Sequence, residues 1–101
     1  MQLPNGVIIT DEQEIEVMGL YNYKCVLHPE RWLTCIHHEP PRSLNPRYKE
    51  QPLTWFPTCA TCHPTLHSIG RKIALALLKE KRDQNYPGVK EKICQMYPTA
   101  E

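Results

Sequence analysis

The stretch TWFPTCATCHPTLH, residues 54–67, packs a β-prone run, a paired-cysteine knuckle and the start of a helix into one short segment. A short strand is expected over residues 54–59, rich in aromatic and β-branched side chains. The two-residue gap between Cys59 and Cys62 lets a tight turn aim both sulfurs at one ion. Pro64 suits the first turn of a helix, where a missing N–H costs nothing. That helix is expected over residues 63–84, with Leu66, Ile69, Ile73 and Leu77 on one apolar face. Gly70 is its weak point, at a cost of roughly 1 kcal/mol relative to Ala. His63 and His67 stand four residues apart, which on a helix puts both imidazoles on one face. Helical metalloprotease sites use the same spacing, but residue 64 is Pro and not part of an HExxH glutamate pattern, so that class is excluded.

Upstream, Cys25 and His28 form a second knuckle, with 30 residues between the two. Two such turns complete a tetrahedron, and three thiolates with one imidazole make a standard structural zinc composition. In a small domain such a staple supplies much of the folding free energy. Cys35 and Cys94 have no partner at knuckle spacing and are read as core fillers. Residues 31–37 (RWLTCIH) are β-prone, with Trp32, Thr34 and Ile36 alternating against Leu33, Cys35 and His37. Trp32 and Trp55 are read as packing residues. Five of the 10 prolines fall between residues 39 and 57, which rules out a regular helix and implies a long structured loop reaching about residue 53.

His37 and His38 are adjacent, and along an extended chain neighbouring side chains point to opposite faces. If His37 turns toward an ion, His38 points away and stays available as a base. His37, His63 and His67 then form a three-histidine site with positions open to water and substrate, the alternative being imidazoles that are merely solvated or packed.

The remaining sequence frames this centre. Thr10 and Gln13 have the capping-box form, and a helix is expected over residues 11–21 with Ile15 and Met18 on one side. A last short helix is expected over residues 89–96. With 101 residues there is room for one domain: an N-terminal helical extension (1–24), a knuckle-bearing centre (25–72) and a C-terminal helical part (73–101). No apolar run approaches the ~20 residues that cross a bilayer, and MQLPNGVIITDEQ lacks a basic leader, so an intracellular, cytoplasmic setting with reduced thiols is expected, with no membrane partner. The odd count of five cysteines agrees with metal binding rather than a disulfide framework. Net charge is only +1, but residues 1–16 hold four acids and no base, and the rest carries all 12 basic residues against 7 acidic ones. That asymmetry is compatible with a polyanionic partner.

Together, CVLH (25–28), HHEPPRS (37–43) and TWFPTCATCHPTLH (54–67) resemble the HNH nucleases that carry the ββα-metal motif, in the zinc-stapled branch with paired knuckles. The resemblance covers residues 25–72, about half the chain. It implies an α+β fold with a small ββα-metal (His-Me finger) core, a structural zinc on Cys25, His28, Cys59 and Cys62, an N-terminal helix and a short C-terminal helix. It further implies a metal-dependent endonuclease that hydrolyses DNA phosphodiesters to a 5′-phosphate and a 3′-hydroxyl, as in phages and mobile elements. His38 would be the general base, and His37, His63 and His67 would hold the catalytic Mg²⁺, Mn²⁺, Ni²⁺ or Zn²⁺. Three imidazoles suit Zn²⁺, Ni²⁺ or Mn²⁺ better than oxygen-seeking Mg²⁺. Thr54 occupies the place where the family has the Asn that steadies the base, and it lacks the amide's paired donor and acceptor. Arg42, Arg71 and Lys72 are the expected phosphate contacts, with Lys79, Lys81 and Arg82 extending the basic run along the same helix. The competing readings are a non-catalytic zinc module that binds nucleic acid or a protein, and a purely structural zinc domain within a larger assembly.

Overall fold

The computed structural model describes residues 1–38 and 52–97. Its first helix, α1 (Glu12–Gly19), starts one residue later than the capping box suggests: Asp11, not Thr10, is the N-cap, and its carboxylate accepts from the Glu14 N–H at 3.0 Å. An anionic cap also opposes the positive end of the helix dipole. α1 buries Val17 and Met18 completely. Asn22 and Tyr23, both at φ 58°, then turn the chain through the left-handed region. Tyr23 is bulky for such a conformation, and its hydroxyl donates back to the Ile15 carbonyl at 3.2 Å.

The chain next forms a narrow loop whose strands meet at a Lys24–Trp32 bridge, closed by Cys25 N–H to Arg31 O at 2.8 Å. Strand β1 (Cys35–His38) follows, and β2 (Trp55–Thr58) pairs with it antiparallel, setting His37 opposite Phe56 and His38 opposite Trp55. A single 3₁₀ turn, Pro52–Thr54, leads into β2. The first strand is thus shorter than residues 31–37. Leu33 is still buried, but it belongs to the narrow loop, where its N–H donates to Tyr23 O at 2.9 Å. For that reason the expected alternation fails at Cys35, which is exposed. Cys94 is exposed as well, so neither cysteine fills the core. Residues 39–51 of the expected proline-rich loop lie outside the described residues, and its end, Pro52 and Leu53, forms the 3₁₀ turn.

The long helix expected over residues 63–84 is in fact two: α2 (Cys62–Ser68) and α3 (Arg71–Asn85). Gly70 separates them at φ 92°, ψ 149°, a backbone region open in practice only to glycine. The break rephases the apolar stripe. α3 turns Ala74 and Leu78 to the core and leaves Ile73 63% exposed, where one continuous helix would have buried it. Arg82 also faces inward, 2% exposed, with its guanidinium 5.8 Å from the Phe56 ring and its Nε donating to Asp83 at 3.1 Å. It is therefore not part of a basic surface. A Cβ on Gly70 would meet no atom within 4 Å, so only backbone strain opposes it. Gly70→Ala is expected to lower stability by about 1–3 kcal/mol through that strain, measured as a denaturation-midpoint shift; a stabilised variant would refute the assignment of the break to Gly70.

Helix α4 (Val89–Met96) matches its expected bounds and packs Val89 and Ile93 into the core. That core joins α1, β2, α2, α3 and α4 through residues such as Met18, Tyr21, Trp55, Phe56, Leu66, Leu78 and Ile93. Trp55 is buried as expected, whereas Trp32 is only half-buried, with the Lys24 ammonium 3.7 Å above its ring. The protein is a small compact α+β fold with four helices and a two-stranded antiparallel sheet among the described residues. No helix among them is long and apolar enough to cross a membrane.

Candidate metal centres

Two knuckles separated by 30 residues meet because backbone bonds dock the first onto the sheet and start a helix at the second. Val26 N–H donates to Pro57 O at 2.8 Å, fixing the first knuckle against β2. Cys62 and His63 N–H both reach back to Cys59 O, at 3.1 and 3.2 Å, and this turn launches α2. The end of α3 clamps the first knuckle from the other side: Tyr86 Oη donates to Cys25 O and Asn85 Nδ2 to Val26 O, each at 2.9 Å. Burial, and then the neighbouring Cys25, push the Tyr86 phenol up to about 12, so it stays a donor.

The result places ligand atoms of Cys25, His28, Cys59 and Cys62 all within 4.8 Å of one another. Cys62 Sγ lies 3.8 Å from Cys25 Sγ, 3.3 Å from Cys59 Sγ and 3.0 Å from His28 Nδ1. A tetrahedral zinc with Zn–S near ~2.3 Å would space its sulfurs by roughly 3.8 Å, which is the Cys62–Cys25 separation and about half an ångström more than Cys62–Cys59. The electrostatics also fit a cation. Burial works against an anionic Cys59, but hydrogen bonds from Thr61, Cys62 and Arg31 outweigh it and bring the thiol down to about 5. Burial together with the neighbouring Cys59 and Cys25 pushes Cys62 up to about 12. Three thiolates this close repel unless a dication neutralises them, so this donor set can hold a structural metal such as zinc. Arg31 supplies part of that neutralisation from outside, its Nη1 lying 3.8 Å from Cys59 Sγ and 3.0 Å from Thr61 Oγ1.

The second cluster shares α2 with the first, His63 following Cys62 directly. His63 and His67, on α2, stack at 4.6 Å between ring centroids with their Nε2 atoms 2.7 Å apart. His37 enters from β1, buried to 2% exposure, with its ring 5.5 Å from that of His63 and 5.2 Å from that of His67. All three offer ligand atoms within 4.8 Å of one another. Burial, and then the neighbouring imidazoles of His67, His37 and His38, lower the His63 pKa, which favours the neutral form that ligates.

His38 takes the other side of the strand. Its ring meets Trp55 edge-on at 5.8 Å, and its Nε2 lies 2.8 Å from Glu14 Oε2. Glu14 was not among the residues singled out in the sequence. It sits in the acidic first turn of α1, where a carboxylate reads as a partner for the helix dipole, but it is buried. Nothing local signals a contact across 24 residues. Thr54, half-buried, closes the 3₁₀ turn just before β2. Arg71 and Lys72 are exposed in the first turn of α3, beyond the Gly70 break, while Arg42 lies outside the described residues. No protein-family model, curated protein or solved structure matches this chain.

Proposed function

We propose that the protein is a metal-dependent endonuclease of the HNH type, hydrolysing DNA phosphodiesters on a ββα-metal core. The observation that carries this reading is the split of the adjacent histidines: His37 joins His63 and His67, and His38 does not. β1, β2 and α2 follow one another in the order the motif requires, and the Cys25, His28, Cys59 and Cys62 set is its zinc staple.

In this reading His37, His63 and His67 hold a divalent cation, which would neutralise charge developing on the scissile phosphate and the leaving oxygen. His38 takes the proton from the attacking water, a role suited to an imidazole near neutral pH. Arg71 and Lys72 bind backbone phosphates, giving salt-dependent and largely sequence-independent affinity. Arg42 is a third such contact. Cysteines kept as thiols belong in a reducing compartment, so we place the enzyme inside a cell, in keeping with nucleases of phages and mobile elements. A second reading, a non-catalytic zinc module that binds nucleic acid or a protein, draws on Thr54 in place of the steadying Asn.

The test is cleavage of supercoiled plasmid by the purified chain with Mg²⁺, Mn²⁺, Ni²⁺ or Co²⁺, beside His67→Ala. The wild type is expected to nick or linearise DNA with at least one ion. His67→Ala is expected to keep its zinc and its melting temperature and to lose ~10²-fold or more in activity, the scale of a lost transition-state charge stabiliser. No cleavage with any ion would leave the binding module as the function.

A further inference from the structure

We propose that Glu14 is a positioning residue for His38: its carboxylate accepts the Nε2–H of the imidazole and thereby leaves Nδ1 as the nitrogen that receives a proton. This rests on the nuclease reading above for its catalytic consequence, but the geometry stands by itself. Glu14 Oε2 and His38 Nε2 are 2.8 Å apart, and the two side chains are 11% and 15% exposed. A neutral imidazole has one donor and one acceptor nitrogen, so a partner that can only accept fixes which is which. An ionised carboxylate is such a partner, and it plays the same orienting role in Ser-His-Asp triads.

The carboxylate is itself held firmly. Glu14 lies in the first turn of α1, its N–H bound by the Asp11 cap at 3.0 Å, and α1 is anchored by the fully buried Val17 and Met18. On its other side His38 is braced by the buried Trp55 ring. The imidazole is thus gripped from two elements, α1 and β2. Glu14 and His38 also line a cavity of about 250 Å³ between the N-terminal segment and β1, so solvent reaches the pair. A buried carboxylate costs stability unless it is well paired, and exposed ion pairs stabilise little. Fixing the orientation of His38 is what this arrangement achieves.

The experiment uses the zinc-loaded full chain, ¹⁵N-labelled, with long-range ¹H–¹⁵N spectra recorded at a pH where the imidazole is neutral. Wild-type His38 is expected to carry its proton on Nε2 alone. Glu14→Gln should retain that tautomer, because the amide oxygen still accepts, and Glu14→Ala should give a mixture of tautomers. An Nδ1-protonated wild type, or an unchanged tautomer in Glu14→Ala, overturns the proposal. In plasmid cleavage Glu14→Ala should lose about 10- to 100-fold in kcat with KM unchanged, the range for groups that orient a site residue. The same substitution should cost nothing further in a His38→Ala background. A further loss there would mean that Glu14 acts elsewhere. A wild type that cuts no DNA would sink the nuclease reading alone, since the tautomer spectra still decide the role of Glu14.

Discussion

Cys59→Ser is expected to release the tightly held metal and unfold most of the chain. Cys59 Sγ lies 3.3 Å from Cys62 Sγ and 3.7 Å from His28 Nδ1, so it touches ligands of both knuckles. A serine hydroxyl stays protonated and is a poor zinc donor, which leaves two thiols and an imidazole to hold the ion. Structural zinc in small domains contributes about 10–16 kcal/mol of binding free energy. Typical net stabilities are only about 5–15 kcal/mol, so losing most of the former exhausts the latter. Metal content and thermal melting of the purified variant give the measurement. A variant that retains one tight metal per chain and melts with the wild type would show that the four residues are not a folding staple. The contrast with His67→Ala is the informative part, because equal losses of zinc and stability from both changes would merge the two clusters into one.

The second large effect is on catalysis. His38→Ala removes the proposed base while leaving every metal ligand in place. Positioned general bases contribute ~10²–10⁴-fold, and a loss of that size in cleavage rate is expected with unchanged metal content. The variant also removes the 2.8 Å hydrogen bond between the imidazole and the Glu14 carboxylate. Losing one such hydrogen bond costs about 0.5–1.5 kcal/mol, so the melting temperature should fall modestly while the chain stays folded. Cleavage at the wild-type rate would exclude His38 as the base.

Much of the candidate site was legible in the sequence because its signals are local. CxxH, CxxC and the i, i+4 histidines are each set by the geometry of one turn, and strand alternation suffices to separate His37 from His38. Strand β2 and helix α4 were legible for the same reason, down to the bounds of α4. What escaped depends on non-local packing. Gly70 read as a weak point inside one helix, whereas its positive φ ends α2 and starts α3. That shift in phase exposed Ile73 and buried Arg82. Glu14 escaped because its partner is 24 residues away, and an acid in a first helical turn already has an ordinary explanation. The basic run of α3 is correspondingly shorter as a surface than as a sequence.

The clamp made by Asn85 and Tyr86 bears on where this unit can be cut. Every proposed ligand to either ion precedes residue 68, which invites the view that the last third of the chain is an appendage. Yet the carbonyls of Cys25 and Val26, on the first knuckle, are held by side chains at the end of α3, 61 and 59 residues further on. Dissection by ligand content alone would discard the buttress that keeps that knuckle facing its partner. The smallest piece able to load metal therefore extends well past the residues that touch it, and grafting this centre into another scaffold means carrying α3 along.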